Sequence, residues 1–465
     1  MNLWNIAIRN VFRNTRRSLV TMSAVGIGVC SLFLFACFMA SMVLSFETIT
    51  VQRTGHLIIH RKGYFDFGAS NPVRFGIDRY DQLVQRIRQD PELEPMLSVV
   101  TVSQQLVGIA GNFTADLSKT FLGAGYIPSD RERMRQWNPY DLSFQGRGAN
   151  TEGLNDKDKD RGIVGVGLAK MLGICNALRL ARCPEIPEDP TRKKSGRRLP
   201  SEVGALVKEE APNLPTEDAG YPALDLLAAT ALGAPNVVRL YVVKAESQGV
   251  KELDDTTVIM PLGLAQDLVY GRGEHRVSAV TLQLRRTQDI PRAQKRLQEM
   301  LKDEPFEIHT FEQLTPLYGQ IVGLYRAIFT FLALIMGVIV LFSVVNTMTM
   351  NVLERTTEIG TLRALGSRRG EVRMQFLAEG AAIGVMGAST GLLLGWLIAL
   401  AINASGWRWL PPLSAQPVPF HLEYLATRWQ FIVPWVAVVL VTLLASVGPA
   451  NRGARLPIVD ALRHV

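Results

Sequence analysis

Charge is missing from long parts of this sequence. Only 20% of its 465 residues are charged, and four stretches carry no charge at all: Ser18 to Phe46, Ala327 to Leu353, Gly380 to Trp407 and Trp429 to Asn451. A buried helix of a soluble protein rarely stays uncharged for so long, whereas a bilayer core is crossed by about 20 apolar residues in a helix. A wholly soluble enzyme is therefore excluded as the reading. Cysteine is scarce as well: Cys30 and Cys37 lie in the first apolar run, Cys175 and Cys183 outside the runs. With no histidine and no second cysteine pair near Cys175 and Cys183, no metal site is expected. The net charge of +8 comes without a basic stripe interleaved with aromatics, so no nucleic-acid partner is expected. The chain also lacks a Gly-x-x-x-x-Gly-Lys-Ser/Thr phosphate loop.

Each run is flanked by charge: Arg16 and Arg17, Arg326 and Glu354, Glu379 and Arg408, Arg428 and Arg452. Orientation follows from the arginines of the short flanks. Arg9, Arg13, Arg16 and Arg17 precede the first run, Arg355, Arg363, Arg368, Arg369 and Arg373 lie between the second and third, and Arg452, Arg455 and Arg463 follow the fourth. The loop between the third and fourth runs has only Arg408 and Arg428. Both termini and the middle loop are thus expected in the cytoplasm, and the segment from about 47 to 320 on the other side. A signal peptide is the alternative for the first run. Against it, the apolar stretch before Cys37 is too long for an h-region and Phe35 is bulky for a cleavage pocket.

Residues 1–15 place Leu3, Trp4, Ala7, Ile8, Val11 and Phe12 at helical spacing, which reads as an amphipathic surface helix or as an extension of the first span. The segment between the first two runs has the composition of a mixed α/β domain. His56 to His60, Ser98 to Ile109, Phe113 to Phe121 and the region of Val277 to Leu284 are expected strands, with a turn at Ala110-Gly111-Asn112. Asp81 to Gln89 and Asp289 to Leu301 are expected helices. Asn112-Phe113-Thr114 is a glycosylation sequon by pattern only. The stretch 176–235 is rich in proline and charge up to about residue 220 and reads as a loop-like insertion, either a docking arm or a solvated segment without a role. If the segment faces an oxidising compartment, Cys175 and Cys183 are disulfide candidates, with two free thiols as the alternative. Thr315-Pro316 starts the second long helix, with proline at its first position. Gly387, Gly391 and Gly395 recur at the four-residue spacing of close helix packing.

The most informative residues lie between the second and third runs. Glu354-Arg355-Thr356-Thr357-Glu358-Ile359-Gly360-Thr361-Leu362-Arg363-Ala364-Leu365-Gly366 reads as a short amphipathic helix that can fit a groove on another protein. This segment closely resembles the permease module shared by the MacB, FtsX and lipoprotein-releasing (LolC and LolE) families. The closing residues Pro449 to Arg463 and the N-terminal Arg9 to Arg17 resemble the same module. Gly165 to Gly173 and Leu253 to Leu262 look like the lipoprotein-releasing branch.

The resemblance implies a membrane α-helical fold: four transmembrane helices, with a large mixed α/β periplasmic domain inserted between helices 1 and 2. The implied layout is 1–15 cytoplasmic helix, 18–46 span one, 47–320 periplasmic domain, 321–353 span two with its stalk, 354–379 coupling loop, 380–403 span three, 404–428 short periplasmic loop, 429–451 span four and 452–465 cytoplasmic tail. It implies an ABC ATPase dimer as partner, with ATP and magnesium on that separate chain and no cofactor here, and a second permease copy or paralogue. A periplasmic carrier or adaptor and membrane lipids are further implied partners. The ATPase-coupling role would fall to Glu354, Arg355, Glu358, Ile359, Gly360, Arg363, Ala364, Leu365 and Gly366. The expected role is a non-enzymatic permease of the bacterial inner membrane that relays ATP-driven motion to extract a lipoprotein or lipid-like substrate. A MacB-like efflux permease and an FtsX-like regulator of a periplasmic enzyme are the alternatives.

Overall fold

A computed structural model describes residues 9, 13, 15–68, 72–112, 117–140, 153–180, 183, 220–248, 251–409, 418–424 and 428–458. In chain order the principal elements begin with α1 (Thr15–Thr54), β1 (Leu57–Arg61), α2 (Tyr80–Arg88), β2 (Leu97–Asn112), β3 (Leu117–Tyr126) and α3 (Pro128–Arg135). Then come β4 (Arg161–Gly165), α4 (Val166–Met171), β5 (Ala223–Ala229), β6 (Pro235–Glu246), β7 (Thr257–Pro261) and α5 (Leu262–Tyr270). β8 (Ala279–Leu284), α6 (Ile290–Met300), β9 (Phe306–Thr310), α7 (Pro316–Glu354), α8 (Thr356–Ala364), α9 (Arg369–Ser405) and α10 (Trp429–Arg455) complete the chain. These elements fall into two compact units, one of Ser45–Pro316 with Trp409–Val418, the other of the remaining residues. Most of the 1–15 segment, the core of the 176–235 insertion, the sequon's Phe113 and Thr114, and the last residues of the tail lie outside the described residues.

The helical unit is built on α1, α7, α9 and α10, the four described helices long and apolar enough to cross a membrane. Each charge-free run predicted a span, but α1 and α9 extend well past the uncharged limits, to Thr54 and back to Arg369. A run stops at its first charge, whereas the backbone ladder continues while charged tips reach water. Valines and small residues make the helix contacts: Val25, Val29, Val340, Val344, Ala382, Ala388 and Val438 form one core. Glycines line two faces of α9. Gly380 and Gly384 face Ser446 and Thr442 of α10, whose hydroxyls turn back to Thr442 O and Val439 O. Gly387, Gly391 and Gly395 face Val25, Gly26 and Phe33 of α1. Small residues let membrane helices approach backbone to backbone. At one end of this unit the Asn403 side chain brackets the Leu422 backbone with two hydrogen bonds of 3.0 and 2.8 Å, and Phe420 stacks on Phe38.

The mixed unit is one nine-stranded sheet that closes partly on itself. Its order is β3-β7-β4-β6-β5-β2-β8-β1-β9, and β3 also pairs with β2. That second pairing joins six strands into a hydrogen-bonded ring, leaving β8, β1 and β9 as an open wing. β2, sixteen residues long, belongs to both parts. The alternation of its side chains sends Leu106 and Ala110 into the ring's core, with Phe121, Val164, Leu224, Leu226, Leu240 and Val258. Val100 and Val102 of the same strand pack instead with Leu57, Ile59, Leu282 and the apolar faces of α2 and α6. The expected turn at Ala110-Gly111-Asn112 is corrected: these residues are strand, paired to Lys119, Ser118 and Leu117, and Ala110 and Gly111 also pair to β5. Neighbours on both sides supply hydrogen bonds that outweigh glycine's turn preference.

Cys175 and Cys183 are joined by a disulfide across a sequence separation of 8. Closing a loop of that size removes unfolded-state entropy worth about 2–3 kcal/mol. The Cys175→Ser/Cys183→Ser variant is expected to lower the urea midpoint of the mixed unit accordingly. An unchanged midpoint under reductant and in the variant would show that the bridge adds nothing.

Candidate functional site

The residues between α7 and α9 form a short, firmly held helix. α7 stops at Glu354, where Thr356 Oγ1 donates to Val352 O at 3.2 Å and Leu353 O at 2.7 Å. Terminal helix carbonyls need such partners. Arg355 sits at the joint between α7 and α8. Its Nε donates to Glu358 Oε2 at 2.9 Å and its Nη1 to Glu379 Oε1 at 2.7 Å, with the guanidinium 5.8 Å from the Phe376 ring centre. Glu379, on α9, is 2% exposed. A planar, permanently charged fork suits this bridging task in a way that lysine does not.

α8 is tied down along its length. Ile359 is buried with Val352, Val372, Phe376, Ala450 and Ala454, and Gly360 is buried beside it. Arg363 Nη1 donates to Ala454 O at 3.1 Å and Leu456 O at 3.3 Å, at the end of α10. Arg13 reaches Glu358 Oε1 at 2.5 Å, and Arg17 pairs with Glu354. Burial works against charge on Arg355, but Glu379 and Glu358 outweigh it and hold the guanidinium above its usual range. Burial likewise opposes ionisation of Glu358, and the hydrogen bonds from Arg355 and Arg13 outweigh it, holding the carboxyl below the usual range. The stabilising contribution of Glu358 is therefore full above the unfolded carboxylate pKa, about 4.3, and is lost as pH falls through the lower folded value.

The other side of α8 faces outward. Leu365 is 80% exposed and Leu362 39% exposed, with Ala364 and Gly366 exposed beside them and Leu353 exposed at the end of α7. Gly366 has φ +100°, and the N–H groups of Gly366 and Ser367 donate to Arg363 O and Leu362 O. Such a left-handed residue ends a helix and favours glycine. The nine candidate residues singled out from the motif thus divide. Arg355, Glu358, Ile359, Gly360 and Arg363 hold the helix in place. Leu362, which the motif also contains, and Ala364, Leu365 and Gly366 form its open surface. Glu354 lies between, paired with Arg17.

Sequence reasoning treated Glu379 only as a charge flanking a span, and missed it as the buried partner of Arg355. It also missed Arg13 and Arg17, although their i,i+4 spacing matches that of Glu354 and Glu358. Among the described residues no group of three or more His, Cys, Asp or Glu could hold a metal ion.

Comparison with known proteins adds the context. A family model described as FtsX-like permease C-terminal matches residues 330–458, which contain the whole site except Arg13 and Arg17. An uncharacterized ABC transporter permease of Methanocaldococcus jannaschii is 27% identical over 215 residues, 45% of this chain and 51% of that protein. The macrolide export ATP-binding/permease protein MacB of Bdellovibrio bacteriovorus is 27% identical over 224 residues, 45% of this chain and 31% of that protein. MacB of Neisseria gonorrhoeae is 30% identical over 135 residues, 28% of this chain and 21% of that protein. The matched part of the chain spans about half the length of these relatives or less.

Proposed function

We propose that this multi-pass membrane protein, whose residues 330–458 match the FtsX-like permease C-terminal family and which is similar to ABC transporter permeases, is the permease subunit of an ABC machine whose motor is a separate ATPase dimer docking on α8. The exposed apolar surface of Leu362 and Leu365, on a helix whose other face is pinned by Arg355, Glu379 and Arg363, carries this reading. A rigid knob transmits force; a mobile one absorbs it. On this reading α8 is cytoplasmic, and the mixed unit is an extracytoplasmic insertion between the first two spans of an inner-membrane protein. A second permease chain completes the assembly, and the substrate is a lipid-anchored or amphipathic molecule taken from the membrane. A second reading, export of small molecules in the manner of a MacB pump, is favoured by the MacB proteins among the relatives.

Co-purification of the tagged full chain tests the docking surface. Interface anchors of this kind contribute about 2 kcal/mol or more, so Leu365→Asp is expected to weaken ATPase capture about thirtyfold. Thr361→Asp, exposed on the same helix, is expected to change it little. Equal capture by the wild type and Leu365→Asp would refute the assignment. Stimulation of the complex's ATP hydrolysis by a purified lipoprotein, but not by a macrolide, separates the two substrate readings.

A further inference from the structure

The end of α1 is bound into the mixed unit by a directional chain of hydrogen bonds. Although α1 runs unbroken from Thr15 to Thr54, its residues from Ser45 onward belong to the mixed unit. Thr48 and Val51 are fully buried there, and Glu47 is 7% exposed. Tyr140 Oη donates to Glu47 Oε1 at 2.7 Å, and Thr287 Oγ1 donates to the same oxygen at 2.5 Å. His56 Nε2 lies 3.3 Å from Thr287 Oγ1, and the backbone N–H of Leu284 donates to His56 Nδ1 at 2.9 Å.

The donors fix the direction of this chain. Nδ1 accepts from an N–H, so the proton of neutral His56 sits on Nε2 and is given to Thr287. Thr287 has one hydroxyl proton, which goes to Glu47. Tyr140 gives its own proton to the same carboxylate. Every donor therefore converges on Glu47, from segments 93 and 240 residues away in sequence. Burial takes the His56 pKa down to about 3, so the ring stays neutral and the chain is no pH switch. Further backbone contacts surround it: Gln52 Nε2 donates to Trp137 O, Arg53 Nη2 to Gln248 O, and Gln283 Nε2 to Val51 O and Met134 O.

We propose that Glu47 is a latch that fastens the last turns of α1 to the segments around Tyr140 and Thr287, so that movement of the first span is handed to the mixed unit at this residue rather than at β1. The proposal rests on the coupling function above, with Glu47 as a positioning residue that contacts no substrate. A hydrogen bond to a charged group contributes about 1.5–3 kcal/mol, so its loss is read as a tenfold or greater change. Hydrogen exchange of the full chain in lipid nanodiscs is the measurement. Glu47→Ala is expected to speed exchange about tenfold or more in residues 48–54 and 284–289. Glu47→Gln, whose amide oxygen still accepts from both hydroxyls, is expected to restore most of the protection, and Tyr140→Phe to lose part of it. Unchanged exchange in Glu47→Ala, or acceleration spread evenly over the whole mixed unit, overturns the latch.

The second arm uses the complex with its ATPase. In the wild type, ATP is expected to alter exchange both in residues 15–44 and in residues 284–289. In Glu47→Ala the response in 15–44 is expected to persist while that in 284–289 disappears, and Glu47→Gln is expected to keep both. A Glu47→Ala variant that keeps both responses overturns the transmission role. A wild type with no ATP response anywhere overturns the coupling function itself, while the first arm still decides whether Glu47 holds the helix.

Discussion

Replacing Glu379 by leucine, with Arg355 left in place, is expected to destabilise the helical unit by about 3–5 kcal/mol, the usual cost of stranding one member of a buried ion pair. The pair is buried on its acidic side, with the Glu379 side chain 3% exposed and that of Arg355 18% exposed. Removing the carboxylate leaves the guanidinium with Glu358, its other partner at 2.9 Å, and nothing to satisfy its inner edge. The double variant Arg355→Met/Glu379→Leu is expected to recover most of that loss, because two apolar chains of similar volume need no charge partner. Unfolding midpoints of the full chain in detergent measure both. A double variant no more stable than Glu379→Leu would show that the loss does not come from stranding the Arg355 guanidinium. The same variants separate stability from coupling. The double variant keeps its fold on this account, yet it has lost the fork that joins α7, α8 and α9, so ATPase capture is expected to survive while ATP-driven movement of the first span weakens.

The four long helices were legible in the sequence because the bilayer demands continuous apolar surface, and a run without charge is a local property. The short helix between Glu354 and Gly366 was legible too, since its charges and apolar residues alternate within one turn. What could not be read was which way it faced. Ile359 and Leu362 are both apolar and three residues apart, yet one is buried against Phe376 and the other exposed. That phase is set by the positions of α9 and α10, which no spacing inside 354–366 encodes. The sheet failed for a similar reason. The hairpin of β2 and β3 is local and was anticipated, but the ring that β3 completes by pairing with β7 joins Leu122 to Thr257 across the chain. Ala110 and Gly111 looked like a turn only because their β5 partners, Leu226 and Asp225, are more than a hundred residues distant. Glu47 drew no notice for the same cause: a lone carboxylate after an apolar run resembles any flanking charge until Tyr140 and Thr287 are brought to it.

Gly391→Ala is expected to be the most damaging of three glycine substitutions that look alike in sequence. A Cβ on Gly391 would collide with the Gly26 backbone, and neither helix offers a side chain that can turn aside. Relief requires α1 and α9 to separate, which loosens the core of Val25, Val29, Ala388 and their neighbours. Overpacking of this kind costs about 1–3 kcal/mol, and more where only backbone can give way, so a loss of about 3 kcal/mol is expected. Gly395→Ala meets the Phe33 ring edge at 2.9 Å, and a ring can tilt, so a smaller loss is expected there. Gly448→Ala has nothing within 4 Å of its new methyl group. On α10 it should be neutral or slightly stabilising, because alanine is favoured over glycine in a helix by about 1 kcal/mol. Thermal midpoints of the three variants in one detergent are expected to fall in the order Gly448→Ala, Gly395→Ala, Gly391→Ala from highest to lowest. The order is the decisive quantity, since all three changes add the same methyl group to a helix. If Gly391→Ala proved as stable as Gly448→Ala, the close approach of α1 to α9 would not exist in the folded protein.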